Sequence, residues 1–402
     1  MSTGERVGKQ SDAGHPSAAL TSTGDASTLR PALAILCLSA SLGGLEINTI
    51  KFSGWMRERG WPITLLVPPH SPLADWAARE QLAYITLSAR RKSLAVVTAW
   101  RLAQYLRAHN IRVLLVTQNK DLGFVSLVKL LMGKELRIVY QQHMQIGIPK
   151  RDWFHTQRFA MLDAWLSPLP GLAQQVTHMT RFDPAKVHVV PLGIDLQRFV
   201  APDLTKQEAR EQLQLPSETP LLGVLGRFDD GKGQDFVIEV LHQLRTHHQQ
   251  PVELVLMGEL TRNEGDTYWQ QLQAQVQQLG LTQYVHFRPF RPDTEVFYRA
   301  IDVFVLASVS ETYGMVTIEA MASGLPVVAS ATGGTLEIVQ DGQTGLLYPL
   351  RDVQTCVQQV LLCLQQPALR QALGQSASQR AQAEYSHVRQ CELTEQILLE
   401  LA

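Results

Sequence analysis

Short apolar runs alternate with helix-period segments along this chain, and the alternation happens twice. In the first pass the run 33–38 leads through Gly43-Gly44 into a helical period over Ile47, Ile50 and Met56, which Gly60 closes. Residues 63–67, 113–116, 137–140, 164–166 and 187–190 read as further strands, with helices between them, as over 95–108. A polar stretch around 201–220 interrupts the pattern. It restarts with strands at 221–225, 252–257, 285–287, 303–306 and 327–329, and helices at 235–244 and 267–279. The last fifty residues read as helix throughout. Strands spaced by helices need crossover connections, so they build parallel sheets covered on both faces. Two doubly wound α/β domains in tandem is the reading. No short-period repeat points to a solenoid.

Composition is consistent with this and narrows the class. At 402 residues, 45% hydrophobic and 18% charged, the chain has enough apolar mass for two or three cores. It is neither collagen-like, nor a coiled coil, nor disordered throughout. The apolar run 33–38 is far shorter than the ~20 residues that span a bilayer. Residues 1–30, rich in Ser, Thr, Gly and Ala, are expected to form a disordered tail, and no apolar core of a secretory signal follows their basic residues. Cys37, Cys356, Cys363 and Cys391 show neither metal-ligand nor disulfide-framework spacing, which favours a reducing, cytoplasmic setting. The net charge of −1 conceals a polarity. Residues 31–195 hold 19 Lys and Arg against 10 Asp and Glu, whereas 196–402 hold 14 against 24. Two halves of opposite sign suit two different partners.

The most informative segment is 308–328, SVSETYGMVTIEAMASGLPVV. A strand ends in a polar loop carrying Glu311, Gly314 allows close backbone approach, and a helix starts near Met315. Gly324 and Pro326 stop it. The amides of Gly314, Met315 and Val316 then point out of a helix N-terminus at a sheet's carboxyl edge, an anion site that phosphate commonly fills. A carboxylate there would repel phosphate unless Glu311 holds a neutral polyol. Glu319, farther along the helix, can accept from both hydroxyls of a ribose. Taken alone, Glu311 would be a solvated loop residue and Glu319 a surface charge. The strand–glycine–helix context favours the functional reading.

Glu311…Glu319 followed by Ala320-Met321-Ala322-Ser323-Gly324-Leu325-Pro326-Val327-Val328 resembles the signature of retaining family 4 glycosyltransferases. Pro191-Leu192-Gly193-Ile194-Asp195, Leu225-Gly226-Arg227-Phe228 with Gly231-Lys232-Gly233, and Gly333-Gly334…Glu337 are similar to that family's other segments, in order. The resemblance implies the GT-B fold, two Rossmann-like domains facing across a cleft. Residues 31–198 would be the acceptor domain, rejoined by a helix at about 386–402, and 199–385 the donor domain. It further implies that Glu311 holds hydroxyls of the transferred sugar, Glu319 the ribose, and Arg227 and Lys232 the leaving diphosphate. His143, just past the strand 137–140, would contact the sugar near the reacting centre. Gly44 would leave room for a phosphate or an acceptor hydroxyl. After Val285-His286-Phe287, where that family commonly has Gly, this chain has Arg288-Pro289, beside the nucleobase pocket.

The expected activity is retaining transfer from a nucleotide-diphosphate sugar to an acceptor hydroxyl, without a bound metal or other cofactor. The expected acceptor is a glycan or a lipid-linked molecule of cell-envelope polysaccharide, lipopolysaccharide or glycolipid synthesis. Arg90, Arg91, Lys92, Arg101, Arg107, Lys120, Lys129, Lys134 and Arg137 add a further expectation. The basic first half would dock on an anionic surface at the inner face of the cytoplasmic membrane. Nucleic acid is not an expected partner. Two other readings stay open: a nucleotide-sugar 2-epimerase of the same fold, and a non-catalytic sugar-nucleotide binder. The dinucleotide fingerprint G-x-G-x-x-G is missing, which argues against a nicotinamide enzyme.

Overall fold

A computed structural model describes residues 30–401, apart from 42, 89–91, 202 and 261–266 and the side chains of 92–94. The tail expected over 1–30 therefore falls, up to residue 29, outside the described residues, as do Arg90 and Arg91 and the side chain of Lys92.

The two runs of alternation fold into two all-parallel sheets. The first contains β1 (Ala32–Leu36), β2 (Ile63–Val67), β3 (Tyr84–Thr86), β4 (Ile111–Val116), β5 (Arg137–Gln141), β6 (Ala164–Ser167) and β7 (Val187–Val189), in the order β3-β2-β1-β4-β5-β6-β7. The second contains β8 (Leu221–Leu225), β9 (Glu253–Gly258), β10 (Val285–Pro289), β11 (Val303–Leu306), β12 (Val327–Ser330) and β13 (Leu346–Tyr348), in the order β10-β9-β8-β11-β12-β13. Helices cover both faces of each, which is why the central strands are continuous apolar runs rather than alternating ones. In β1, for example, Leu33 and Ile35 feed one core with helix Gly44–Glu58, while Ala34 and Leu36 feed the other with helices Lys92–Ala108 and Leu122–Met132. The result is the GT-B architecture, two Rossmann-like domains facing across a cleft.

The backbone passes between the halves twice, and the crossings lie side by side. Ile194 pairs with Ser386; the Ile194 N–H donates to Tyr385 O at 2.9 Å and the His387 N–H to Ile194 O at 2.9 Å. Helix His387–Leu401 then returns to the first sheet and buries Cys391, Ile397 and Leu398 with Phe52 and Met56. All four cysteines are free and buried. The edge strands β3 and β13 and the helix Pro72–Arg79 were not among the elements expected from sequence.

Candidate active site

In an open parallel sheet the loops leave in opposite directions where the strand order reverses, opening a crevice at the carboxyl edge. In the second sheet that point lies between β8 and β11. From β8 the chain runs through Gly226-Arg227 into the tight turn Asp230–Lys232; from β11 it runs through Ala307 to Glu311. The Val309 N–H donates to Gly231 O at 2.9 Å and ties the two loops. Their tips then meet: Lys232 Nζ is 3.1 Å from Glu311 Oε2. Arg227, on the first loop, is 57% exposed at its side chain and lies 3.5 Å from Asp229.

Helix Met315–Ala322 starts immediately beyond. Gly314, at its N-cap, has φ of 93°, a left-handed conformation that a side chain would disfavour. The Thr317 and Ile318 amides are satisfied by Gly314 O, at 3.0 and 3.2 Å. Helix geometry leaves the amides ahead of them, at Gly314, Met315 and Val316, for a ligand. The Thr317 hydroxyl is buried there without a partner. At the other end the Leu325 N–H returns to Ala320 O and Gly324 takes φ of 70°, the expected stop.

Glu319 accepts from the Tyr298 hydroxyl at 3.0 Å and from the Thr294 hydroxyl at 3.3 Å. Both reach the same oxygen, Oε2, so Oε1 is left for a further donor. Burial pushes the Glu319 carboxyl above the usual range, and Lys51, ahead of the two hydroxyls and Arg198, pulls it back.

On the first half, His143 follows β5 at the carboxyl edge. Its Nε2 is buried with no partner, and burial pushes its pKa down to about 4, so it is neutral at pH 7. Its loop reaches the second half two residues later. A Cβ placed on Gly333 would lie 3.2 Å from Gln145 Nε2 and 2.2 Å from Glu311 O. Two further contacts cross between the halves: the Gly171 N–H donates to Glu337 Oε2 at 2.8 Å, and the Tyr313 hydroxyl to Leu192 O at 2.7 Å. Gly44 opens helix Gly44–Glu58, and a Cβ there would meet nothing within 4 Å.

The structure thus brings Lys232, Glu311 and Arg227 to one crevice, with Gly314, Met315, Val316 and Glu319 on the adjoining helix. It brings the loop of His143 against the Glu311 loop, while Gly44 faces open space. Sequence reasoning missed Asn48 and Lys51. Both amide atoms of Asn48 are buried without partners. Burial pushes Lys51 below the usual lysine range, opposed first by Glu319. With Gly44 they fall at i, i+4 and i+7, one stripe of a helix. That polar stripe was the available signal. Arg288, beside the expected base pocket, is spent on structure, donating to Phe287 O and Gln214 O at 2.8 and 2.7 Å. Among the described residues no group of three or more His, Cys, Asp or Glu side chains converges as a metal site.

Comparison with known proteins bears on the fold and the family. Residues 205–380 match the family model for glycosyl transferases group 1, and residues 42–198 that for glycosyltransferase family 4. A D-inositol 3-phosphate glycosyltransferase of Corynebacterium jeikeium is 32% identical over 199 residues, 48% of this chain and 47% of that protein. The chain thus spans about half the length of the curated relatives it matches. The crystal structure of a glycosyltransferase from Rickettsia africae superposes with a TM-score of 0.84 at 16% identity, covering 92% of this chain and 98% of that one. That of Anabaena HepE in complex with UDP and glucose does so with a TM-score of 0.79 at 20% identity, covering 92% and 99%. With one family model on each half and the GT-B fold throughout, the chain belongs to the family 4 and group 1 glycosyltransferase superfamily.

Proposed function

We propose that the protein transfers a sugar, with retention of configuration, from a nucleotide-diphosphate sugar to an acceptor hydroxyl. The observation that carries this reading is the meeting of Lys232 and Glu311 at the switch point of the second sheet, directly before a helix N-terminus. A cation and free amides suit a diphosphate, and a carboxylate beside them suits the hydroxyls of the sugar that the diphosphate leaves. Arg227 adds an exposed guanidinium whose planar fork matches phosphate oxygens. Glu319, with one oxygen unengaged, takes the ribose. His143, held neutral, donates or accepts a hydrogen bond to the sugar and does not serve as a cationic acid. Lys232, Arg227 and the helix amides stabilise charge as it develops on the leaving diphosphate, which is where such groups lower a barrier. The acceptor hydroxyl attacks from the face the diphosphate leaves: its oxygen bonds to the anomeric carbon as the bond to the diphosphate breaks, and its proton passes to the departing phosphate oxygen.

The first half is read as the acceptor side, Gly44 leaving room for the incoming molecule. We read that molecule as a glycan or lipid-linked acceptor of cell-envelope synthesis, met by the protein at an anionic membrane surface.

A thermal-shift series with UDP, GDP, ADP and their sugars tests the donor site. A nucleotide at 100 times its Kd should add ~2.7 kcal/mol of stability. Incubation with the matching sugar nucleotide then separates three outcomes. Slow hydrolysis or transfer with a retained anomeric centre supports the transferase; an epimerised donor supports the isomerase; binding without turnover leaves a binder. No shift with any nucleotide would refute the reading.

A further inference from the structure

Helix Leu122–Met132, LGFVSLVKLLM, turns Leu122, Val125, Val128 and Met132 into the core of the first sheet. A helix in a water-exposed layer should then be polar on its other side. This one is not. Its exposed side chains are Leu130, at 67%, and Leu131, at 41%, while Phe124 and Leu127 lie half-buried against the core. Its only charge, Lys129, bends inward to Asp163 at 3.0 Å. The flanking helices continue the surface. Lys92–Ala108 and Trp153–Ala160 pack into the same core, and outside it they expose Trp100 at 53%, Trp153 at 74% and Phe154 at 62%. The loop between β5 and Trp153, which carries His143, adds Met144 at 68% and Ile148 at 67%.

Cations outside any ion pair fringe this surface. Arg101, Lys120, Lys134 and Lys150 make no ion pair among the described residues, whereas Glu135 is taken by Arg107 and Asp152 by His155. Exposed aliphatic groups, indole rings and unpaired cations on one side of a domain match the layered chemistry of an anionic leaflet: acyl chains, interface, phosphate. A second copy of the chain would bring the same positive fringe against itself.

We infer that the outer face of helices Lys92–Ala108, Leu122–Met132 and Trp153–Ala160 inserts into the headgroup layer of an anionic bilayer and sets the His143 loop at the membrane surface, so that the acceptor is a lipid. This deepens the proposed function and rests on it for the word acceptor. It also moves the attachment away from three cations of the sequence argument. Arg107 is paired with Glu135 and Lys129 and Arg137 with Asp163, so their charges are engaged within the chain. Among the described residues no helix is long and apolar enough to cross a membrane.

The test is flotation of the full chain with vesicles of equimolar phosphatidylglycerol and phosphatidylcholine, at low and high salt. The comparison is with the triple variant Trp100→Ser, Leu130→Ser, Trp153→Ser, whose side chains all lie outside the core. Wild type should co-float at low salt and keep a bound fraction at high salt. The variant should bind at least about tenfold more weakly and lose all binding at high salt, since only the screened charges remain. Absence of flotation by wild type, or equal flotation of both, overturns the inference. So does a wild-type dimer in light scattering that the variant converts to monomer, because a second copy then covers the face. Nucleotide binding measured without vesicles is the separate control. Variant and wild type should bind equally. A wild type that floats but binds no nucleotide would refute the transferase and leave the docking in place.

Discussion

Lys232 Nζ and Glu311 Oε2 lie 3.1 Å apart across the crevice between β8 and β11, so the group read as the diphosphate's cation and the group read as the sugar's acceptor of hydrogen bonds satisfy each other. Both side chains are mostly buried, and neither has another charged partner within ion-pair distance among the described residues. A donor would part them, drawing Lys232 to phosphate and leaving Glu311 to the sugar hydroxyls. The pair therefore keeps two mostly buried charges solvated by one another.

Replacing Lys232 or Arg227 with Ala should lower kcat by ~10²–10³-fold, because each removes charge stabilisation of the departing diphosphate. Stability separates the two variants. Arg227 is exposed and loosely paired, so its loss should leave the unfolding midpoint unchanged. Loss of Lys232 strands Glu311 and should cost about 1 kcal/mol. Near-normal turnover in both would remove the clamp assignment.

The two glutamates should fail differently. Glu319→Ala should weaken binding of the free nucleoside diphosphate, since it removes the ribose contact. Glu311→Ala should spare or tighten that binding, because it releases Lys232 from its pair, while transfer falls. Calorimetry with the nucleoside diphosphate reads the difference, and equal losses of affinity would contradict the division.

What sequence could and could not show follows from how each feature is encoded. The central strands and the Gly314–Met315 helix start were legible because burial on two faces and a left-handed cap each demand particular residues in a row. The edge strand Tyr84–Thr86 was not, being exposed at both ends and carrying no apolar run. Charges misled in a different way. Lys129 and Arg137 look like surface cations until the fold brings up Asp163, well over twenty residues away, to pair with both. Lys51 and Asn48 were hidden because polar residues at helical spacing are ordinary until the fold is seen to set Lys51 toward Glu319 and to bury Asn48 without a partner. The apolar outer face of Leu122–Met132 was hidden for the opposite reason, since apolar residues at any position read as core.

Acid should separate His143 from Asp121. The folded His143 takes a proton only near pH 4, against an ordinary 6.5, so between these values the unfolded chain binds the extra proton and stability falls as pH falls, by up to about 3 kcal/mol. Asp121 opposes it. Burial raises its pKa from 3.8 to about 6, so the folded chain holds that proton first and gains stability as pH falls through the same window. Wild type should thus show a shallow pH dependence from 6 to 4. A His143→Asn variant, freed of the first effect, should gain on wild type as pH drops from 6.5 to 4. Denaturant midpoints at the two ends measure it, and a difference that does not change with pH would reject the neutral buried histidine.

Lys51 should govern the pH at which nucleotide binding is lost. A carboxylate holding two ribose hydroxyls must be ionised, and burial already lifts Glu319 above the ordinary carboxyl range. Because a raised folded pKa surrenders the charged form early, affinity for the nucleoside diphosphate should fall as pH is lowered through that raised value. Lys51, on the other half of the molecule, is the foremost group holding it down, ahead of the Tyr298 and Thr294 hydroxyls and Arg198. Lys51→Met keeps an unbranched side chain, one atom shorter, and removes the charge. The loss of affinity should then begin at a higher pH than in wild type, with little change well above both values, where Glu319 is ionised in either protein. Titration calorimetry across pH decides it. An unshifted profile would mean that Lys51 does not act on Glu319, and a uniform loss at every pH would mean that Lys51 touches the nucleotide itself.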